Sequence, residues 1–338
     1  MKALKVTGPG KIELCDIEIP KLQDNQVLIK VEYSAMCSSD VKLIQGNYDG
    51  LVYPCVPGHE WSGVVTETRE DNKHLLGKKV VADILFPCLQ CEPCRMGKRN
   101  LCTNLKEIGI SMQGGFAEYV AVDAKNVISI SDSISLKHAC IIEPLAVVYN
   151  AIQRVGGIKP AQKVIVFGSG AVGLLVTALA KLMGATHITN VDYIESRLEV
   201  AKELGATKTF NLRERDIIEA YQKDEIAQGD VVFDVTGEAE AFNMALELVK
   251  PGGRIGYIGY SAYDTAEVKP SNIMLKAVDI YGVLSPTETW LQAIEIVEKE
   301  LIDIDKIITH EYKLEEYEIL LKNMKYKEDG ILRGVFKL

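Results

Sequence analysis

The sequence predicts an α/β protein with two domains, one rich in β-strands and one built on a doubly wound parallel sheet. Three observations predict this fold class. Short alternating strands fill roughly the first 145 residues, and apolar strands alternate with helices from residue 163 to about residue 283. The chain also has 338 residues, which is more than one ordinary hydrophobic core needs.

The first region contains segments in which apolar and polar residues alternate. Residues 26–31, 63–65 and 79–82 are examples, and Gly, Pro, Asn and Asp separate them. This pattern predicts a compact, irregular β domain whose functional groups lie on loops.

The second region has nearly continuous apolar strands, which are typical of a parallel sheet covered on both faces. The predicted strands are 164–167, 187–191, 231–234, 254–258 and 279–281. A helix over 290–300 and two short terminal strands then complete the first domain. We therefore predict a catalytic β-rich domain from residues 1–147 and 286–338, with a nucleotide-binding domain at 148–285.

Composition and charge narrow the possible partners. The formal net charge is −9, with 47% hydrophobic and 25% charged residues, so neither nucleic acid nor an anionic membrane is an expected partner. The apolar runs are too short to span a bilayer. Met1 leads directly into the alternating residues 2–6, so no signal peptide is expected and the protein is predicted to be cytoplasmic.

Four cysteines form the strongest local pattern. Cys88, Cys91 and Cys94 stand at gaps of two residues, and Cys102 follows seven residues later. A short loop with this spacing can give a tetrahedral zinc ion four thiolates, and no position then remains for water or substrate. The pattern therefore predicts a structural zinc site. An iron–sulfur cluster or a redox pair is the alternative interpretation.

A second metal site is predicted from Cys37, His59 and Glu143. Cysteine and histidine on separate turns are ligands of catalytic zinc, which keeps one position open. Glu143 stands within an apolar run, where an unpaired charge is costly. Taken singly, the three residues are better explained as a small buried thiol, a turn histidine and a carboxylate at a helix start. Their occurrence together, beside the four-cysteine loop and a nucleotide-binding fold, favours the metal site instead.

The residues Gly168, Ser169, Gly170, Ala171, Val172 and Gly173 match a dinucleotide-binding fingerprint. They follow a predicted strand and precede a helix predicted over 174–183, which is the context that the pattern requires. The glycines allow a tight turn and a close approach of pyrophosphate to the N-terminus of the helix.

The next strand ends at Asp192, 19 residues beyond Gly173. A carboxylate there accepts hydrogen bonds from a ribose and repels a 2′-phosphate, so NAD is the predicted cofactor. Arg197 lies close by and could instead receive a phosphate. An ordinary helix N-cap is the other interpretation of Asp192.

These features occur in the order of a known family. Cys37, the Gly58–His59–Glu60 element, the four cysteines, the residues 115–119, the Glu143–Pro144–Leu145 element and the glycine loop follow one another along the chain. In this order the chain resembles the zinc-dependent medium-chain alcohol dehydrogenases over essentially its whole length, and the Glu143 element is closest to the sorbitol and polyol dehydrogenase branch. The resemblance implies a GroES-like catalytic domain and a Rossmann NAD-binding domain.

The resemblance also implies roles for individual residues. Cys37 and His59 match the ligands of the catalytic zinc, and Glu60 and Glu143 match acidic positions that bind the metal directly or through water. Ser39 matches the hydroxyl that takes the substrate proton. Two positions depart from the family pattern: Ser38 replaces a frequent Gly, and Lys42 replaces a proton-relaying His. The resemblance therefore does not identify the group that carries the proton from Ser39 towards solvent.

The activity expected from this family is reversible oxidation of a secondary alcohol to a ketone with NAD and two zinc ions, one structural and one catalytic. A polyol, cyclitol, amino alcohol or sugar phosphate fits the candidate pocket residues Tyr48, Tyr53, Phe86 and Lys42, and none of these residues selects among the four. L-threonine 3-dehydrogenase-like or butanediol dehydrogenase activity is the alternative. A zinc-free NADPH-dependent reductase and a non-catalytic NAD-binding protein are further alternatives. A homodimer or homotetramer is expected, with the sheet edge at residues 279–283 as the contact between subunits.

Overall fold

The computed structural model describes residues 1–48 and 52–338, which divide into two compact units. The first unit comprises Met1–Pro144, Pro286–Glu300 and Ile308–Leu338, and the second comprises Leu145–Ser285 and Leu301–Ile307. Residues 145–147 and 301–307 thus belong to the second unit rather than to the predicted catalytic domain. The helix Ile142–Arg154 crosses the boundary between Pro144 and Leu145. The change in sequence pattern near Glu143 therefore locates this boundary only to within a few residues. An ion pair between Lys306 and Glu203 joins 301–307 to the second unit.

The first unit begins with a series of short strands. They are β1 (Lys2–Gly8), β2 (Lys11–Asp16), β3 (Gln26–Ala35), β4 (Glu60–Thr68), β5 (Lys79–Ala82), β6 (Leu85–Phe86), β7 (Lys106–Glu107), β8 (Tyr119–Asp123) and β9 (Val127–Ser129). The helices in this stretch are α1 (Ser38–Gln45), α2 (Glu92–Arg95) and α3 (Leu136–Ala139). Helix α4 (Ile142–Arg154) begins at the end of this stretch and belongs mostly to the second unit.

The second unit alternates strands and helices. Its elements are β10 (Lys163–Phe167), α5 (Ala171–Leu182), β11 (His187–Asp192), α6 (Glu195–Leu204), β12 (Lys208–Asn211), α7 (Ile217–Gln222), β13 (Gly229–Asp234), α8 (Ala239–Leu248), β14 (Val249–Tyr257), α9 (Pro270–Lys276) and β15 (Asp279–Gly282). The chain then returns to the first unit with α10 (Trp290–Glu298), β16 (Ile308–Lys313), α11 (Tyr317–Tyr326) and β17 (Arg333–Lys337). Single 3₁₀ turns cover Glu70–Leu75, Arg99–Leu101, Ala124–Asn126, Ile304–Lys306 and Leu314–Glu316.

The sheet of the second unit is parallel throughout, with strand order β12-β11-β10-β13-β14-β15. This is the doubly wound order, in which the direction of winding changes between β10 and β13. The central strands are apolar and inaccessible to solvent, as the sequence predicts for a parallel sheet; Val166, Val231 and Phe233 are examples. Ligands of this fold bind beyond the carboxyl ends of the strands at the point of reversal.

The main sheet of the first unit has seven strands in the order β16-β17-β3-β4-β5-β9, with β8 paired to β3. All its pairs are antiparallel except β16 with β17. Val27, Ile29 and Val31 alternate along β3 and enter the hydrophobic core under this sheet. The sheet matters for function because β17, near the end of the chain, lies beside β3 and the turn that follows it.

The predicted α/β fold class is confirmed. Each predicted strand of the second unit is present, but β12 was not predicted, because Lys208–Asn211 is short, polar and at the sheet edge. Helix α5 begins at Ala171, three residues before its predicted start, and α10 ends at Glu298 rather than at Glu300. Within residues 1–48 and 52–338, no helix has both the length and the apolar character needed to span a membrane.

Candidate metal and dinucleotide sites

The four-cysteine loop (residues 88–102) brings its thiols together. The four sulfur atoms of Cys88, Cys91, Cys94 and Cys102 all lie within 4.8 Å of one another. Backbone amides donate to two of them: Cys88 N to Cys102 Sγ at 3.2 Å and Cys91 N to Cys88 Sγ at 3.4 Å. Such donors stabilise thiolates, so the loop is prepared for a cation.

Hydrogen bonds and burial shift the pKa values of two cysteines of this loop in opposite directions. Backbone hydrogen bonds from Cys94 and Thr103 lower the pKa of Cys91 to about 6. Burial and hydrogen bonds with neighbouring thiols raise the pKa of Cys94 to about 12. Four sulfur atoms this close cannot all ionise without a positive charge among them. Four thiolates match the preference of zinc, and the residues present therefore fit a structural zinc ion.

A second group of potential metal ligands, here called the open site, consists of Cys37, His59 and Glu60. One ligand atom from each residue lies within 4.8 Å of the others. Cys37 is the N-cap of α1, where the chain leaves β3, and Glu60 is the first residue of β4 with His59 immediately before it. The antiparallel pairing of β3 and β4 matches Ala35 with Glu60, which places the two turns side by side.

Asp40 holds these two turns together, and it is a residue that the sequence analysis missed. Its Oδ2 accepts from Cys37 N at 2.8 Å, and its Oδ1 accepts from Gly58 N at 3.3 Å. The same Oδ1 lies 3.3 Å from His59 Nδ1. Asp40 is fully buried, so its carboxylate is committed to these groups. A signal was available, because an acidic residue at the third helical position is typical of a capping box.

Arg333 of β17 is the second missed residue. Its Nη2 lies 3.3 Å from Glu60 Oε1, and its Nη1 donates to Met36 O at 3.0 Å. The side chains of Arg333 and Glu60 are 3% and 1% exposed, so each charge depends on the other for compensation. No local pattern marks Arg333, because only the pairing of β17 with β3 brings it here.

The charges in the open site shift several pKa values. Burial opposes ionisation of the Cys37 thiol, but Arg333 and His59 outweigh it and lower the pKa of Cys37 to about 5. Burial also opposes protonation of His59, yet Asp40 holds the pKa of His59 well above its usual range. Burial raises the pKa of Glu60 well above its usual range, although Arg333 opposes this shift. The site thus combines a thiol that ionises readily with two buried groups, His59 and Glu60, whose pKa values are both raised.

Unpaired atoms also characterise the open site. Among the described residues, both carboxylate oxygens of Glu60 are buried without a hydrogen-bond partner, even though Arg333 provides charge nearby. Buried polar atoms in native proteins are normally paired, so these two oxygens are available to a ligand. Sulfur, imidazole nitrogen and carboxylate oxygen form a donor set that suits zinc, and the residues of the open site therefore fit this metal.

Two other predicted residues lie near the open site. Ser39, in the first turn of α1, places its Oγ 3.3 Å from His59 Nε2. Glu143, in the first turn of α4, lies outside the group of mutually close ligand atoms. Glu143 is nonetheless only 7% exposed. Burial raises its pKa to about 8, and of the nearby groups His59 lowers this pKa while Cys37 raises it. Direct metal binding by Glu143 stays a prediction.

The glycine loop joins β10 to α5 in the second unit. Gly168 adopts a left-handed φ of 96°, which side chains rarely allow. A Cβ on Gly173 would lie 1.8 Å from Gly168 O, so only glycine permits this contact between loop and helix. Beside Gly170, by contrast, the nearest atom to such a Cβ is Arg197 Nη1 at 3.7 Å. Ala171 and Val172 begin the helix. This open cradle at a helix N-terminus fits a pyrophosphate.

Asp192 ends β11 and is bonded to this loop. Its Oδ2 accepts from Ser169 N at 2.7 Å, while its Oδ1 accepts from Tyr193 N at 2.7 Å and Ile194 N at 2.9 Å. Three backbone donors therefore fix the orientation of the carboxylate. Arg197 of α6 lies near the same loop, because its Nη1 is the nearest atom to a Cβ built on Gly170.

Family models match most of the chain. Residues 23–132 match the alcohol dehydrogenase GroES-like domain, and residues 171–299 match the zinc-binding dehydrogenase domain. The L-threonine 3-dehydrogenase of Chromobacterium violaceum is 31% identical over 329 residues, which is 94% of each chain. That of Bacillus subtilis is 33% identical over 331 residues, covering 94% of this chain and 93% of the relative.

Solved structures agree over the whole length. A structure described as a short chain alcohol dehydrogenase (rspB) from Escherichia coli CFT073, in complex with NADH, has a TM-score of 0.94 at 27% identity and covers 100% of this chain and 99% of its own. A zinc-binding dehydrogenase of Sinorhizobium meliloti 1021, bound to NADP, has a TM-score of 0.92 at 29% identity with the same coverage. The predicted family is thus confirmed, and the chain belongs to the zinc-dependent medium-chain alcohol dehydrogenases, oxidoreductases that act on CH–OH groups.

Proposed function

We propose that this protein oxidises a secondary alcohol to a ketone, reversibly, with NAD as hydride acceptor and with zinc held by Cys37, His59 and Glu60. The open site carries this proposal, because its three ligand atoms lie within 4.8 Å of one another and the two buried Glu60 oxygens accept no hydrogen bond among the described residues. Zinc bound there supplies a Lewis acid that lowers the pKa of a substrate hydroxyl. The four-cysteine loop is proposed to hold a second, structural zinc.

Ser39 is the proposed first acceptor of the hydroxyl proton. Its Oγ lies 3.3 Å from His59 Nε2, and the side chain is partly exposed, so it can reach both a substrate hydroxyl and solvent. Asp40 orients His59 and the amide of Cys37, while Arg333 compensates the charge of Glu60. Glu143 is proposed as a further acidic group that binds the metal directly or through water.

The glycine loop and Asp192 are proposed to bind NAD in preference to NADP. The pyrophosphate is expected at the backbone of Gly168, Gly170 and Gly173, with Ala171 and Val172 at the helix N-terminus. Asp192 is oriented by three backbone donors, two on Oδ1 and one on Oδ2, and its remaining acceptor site on Oδ2 is proposed to bind a ribose hydroxyl. A 2′-phosphate would meet this fixed negative charge. Arg197 is proposed to contact the ribose or the pyrophosphate rather than to select NADP.

The substrate is proposed to be a polyol, cyclitol, amino alcohol or sugar phosphate, as the resemblance to polyol dehydrogenases implies. L-threonine is a second candidate, because two relatives at 31% and 33% identity, aligned over nearly the whole chain, are L-threonine 3-dehydrogenases. 2,3-Butanediol is a third.

A panel assay tests both the reaction and the substrate. The holoenzyme is mixed with NAD and, one at a time, with L-threonine, 2,3-butanediol, sorbitol, a cyclitol and a hexitol phosphate, and formation of NADH is followed by absorbance. Oxidation of a polyol or sugar phosphate at the highest kcat/KM supports the main proposal, whereas a preference for L-threonine or butanediol supports the alternative. Absence of NADH with every alcohol, in protein shown to contain zinc, would contradict the proposed function.

A homodimer is proposed through β15. This strand is the edge of the parallel sheet, with β14 on one side and no partner strand on the other among the described residues. Helix α9 exposes Met274 and Leu275 by 69% and 74%, and Ile280 of the strand is 37% exposed. Edge pairing would satisfy free backbone groups and cover this surface. Light scattering should give the mass of a dimer or tetramer, and Ile280→Lys should shift it toward a monomer. A monomeric wild type would contradict the proposal.

The cytoplasm is the proposed location. All eight cysteines are free thiols, three of them buried and five partly buried. Thiols that bind metal stay reduced in such a compartment.

A further inference from the structure

Two side chains of β11 contact the same residue of the glycine loop. Asn190 and Asp192 are two positions apart, so they project from the same face of the strand. Asn190 Nδ2 donates to Ser169 Oγ at 3.2 Å, and Ser169 N donates to Asp192 Oδ2 at 2.7 Å. Ser169 is therefore held through its hydroxyl and through its backbone amide by one strand.

Thr177 of α5 extends this contact to the helix. Its Oγ1 lies 2.8 Å from Asn190 Oδ1 and 2.9 Å from Gly173 O, and its single hydrogen is shared between these two acceptors. The hydrogen bonds thus join β11, the loop and the first two turns of α5. These hydrogen bonds therefore link the turn that is proposed to bind pyrophosphate to both β11 and α5.

The three side chains of this network are inaccessible to solvent: Ser169, Thr177 and Asn190 are each 0% exposed. Because water cannot replace a lost partner at such a position, removing one group leaves another unsatisfied. Apolar side chains occupy neighbouring positions on the same face of the sheet, since Asn190 is paired with the fully buried Val166. The polarity of the three network side chains at this place therefore requires another explanation.

The consequence of the network falls on Asp192. Tyr193 N and Ile194 N fix Oδ1 of its carboxylate from the same strand end, whereas Ser169 N is the donor that relates Oδ2 to the loop. If Ser169 moves, the position of the Asp192 carboxylate relative to the glycine loop changes. We propose that Thr177, Asn190 and Ser169 act as positioning residues, which hold Asp192 where it selects a dinucleotide whose ribose has a free 2′-hydroxyl. This inference rests on the proposed NAD-binding function.

The test compares the affinities of the purified holoenzyme for NADH and NADPH by fluorescence titration. Thr177→Val keeps the shape of the side chain and removes the hydroxyl, and Asn190→Leu removes both amide contacts. In each variant the Kd for NADH should rise roughly tenfold, while the Kd for NADPH changes less, so that the preference for NADH falls. Thr177→Ser keeps the hydroxyl that Thr177→Val removes, so its preference for NADH should equal that of the wild type.

A matched control separates positioning from general destabilisation. Ile188 is a fully buried apolar residue of the same strand, so Ile188→Ala should lower Tm without changing the ratio of the two Kd values. Equal weakening of NADH and NADPH in Thr177→Val and Asn190→Leu, or unchanged affinities, would overturn the inference while the proposed function stands. A wild type that binds neither nucleotide would overturn the proposed function and the inference together.

Discussion

The four-cysteine loop takes its ligand atoms from one stretch of 15 residues, whereas the open site combines Cys37 with His59 and Glu60 and depends on Arg333 from the far end of the chain. The loop is partly exposed and surrounds its thiols with backbone amides. The open site is buried and surrounds its ligands with charged side chains, among them Asp40.

The difference shows how one chain separates stability from chemistry. Four equivalent thiolates close the coordination of a metal and leave it no position for a substrate. A thiolate, an imidazole and a carboxylate leave a position open, and their unequal charges need partners that hold each group in its place. Variants that remove a residue from one of the two metal sites and leave the other intact test this comparison.

The largest expected effect comes from the ligands of the open site. His59→Ala removes a proposed zinc ligand, so kcat/KM should fall by more than about 100-fold, beyond the loss expected for a residue that only orients a ligand. Zinc analysis should give about one ion per chain instead of two. NADH binding, measured by fluorescence, should be unchanged, because the glycine loop belongs to the other unit. Full activity of this variant would refute the proposed metal mechanism.

Asp40→Asn should have the next largest effect. The amide keeps one acceptor but loses the charge and one of the contacts to the Cys37 and Gly58 amides. We expect kcat/KM to fall about 10- to 100-fold with the structural zinc retained. Asp83→Asn is the matched control, because Asp83 is also buried but pairs with Arg99. Equal losses in both variants would show that Asp40 acts only through folding.

Cys94→Ser should affect stability more than activity. The variant loses one ligand of the four-cysteine loop, which has few apolar side chains with which to fold without metal. Thermal unfolding should shift Tm down by roughly 10 °C, while the folded fraction keeps its turnover per catalytic zinc. Cys15→Ser, outside both groups, should leave Tm near the wild-type value. The comparison of the two sites would fail if turnover per catalytic zinc fell with Tm.

The smallest expected effect concerns Cys140, a fully buried thiol beside Ser62 that belongs to neither group. Burial raises the pKa of Cys140 to about 12, against the opposing hydrogen bond from Ser62. The unfolded chain releases this proton at about pH 8.5, so the folded state binds more protons and stability falls as pH rises above that value.

Cys140 alone lowers the free energy of unfolding by at most about 1.4 kcal/mol for each unit of pH above this value. Urea unfolding between pH 8.5 and about 10 should therefore show a shallower decline for Cys140→Ala than for the wild type. Parallel declines in the two proteins would mean that Cys140 ionises normally in the folded state. That result would place the thiol closer to solvent than the structure does.

Sequence alone was sufficient where the determining contacts are local. The spacing of Cys88, Cys91, Cys94 and Cys102 predicts a group of four thiols because a short loop can reach only one centre. The Gly168–Gly173 turn and Asp192 were likewise predicted, since the strand, turn and helix that place them are consecutive in the chain. Strand β12 escaped prediction because four mostly polar residues at a sheet edge carry little periodicity.

Only the tertiary structure decided which groups complete these sites. Arg333 reaches Glu60 because β17 pairs with β3, and Asn190 reaches Ser169 and Thr177 because β11 lies beside β10. Each of these side chains would be costly to bury alone, and each becomes favourable only when its partner is in place. The chain by itself therefore determined the residue types and the local turns. The folded molecule decided which polar groups, far apart in sequence, compensate one another where water is excluded.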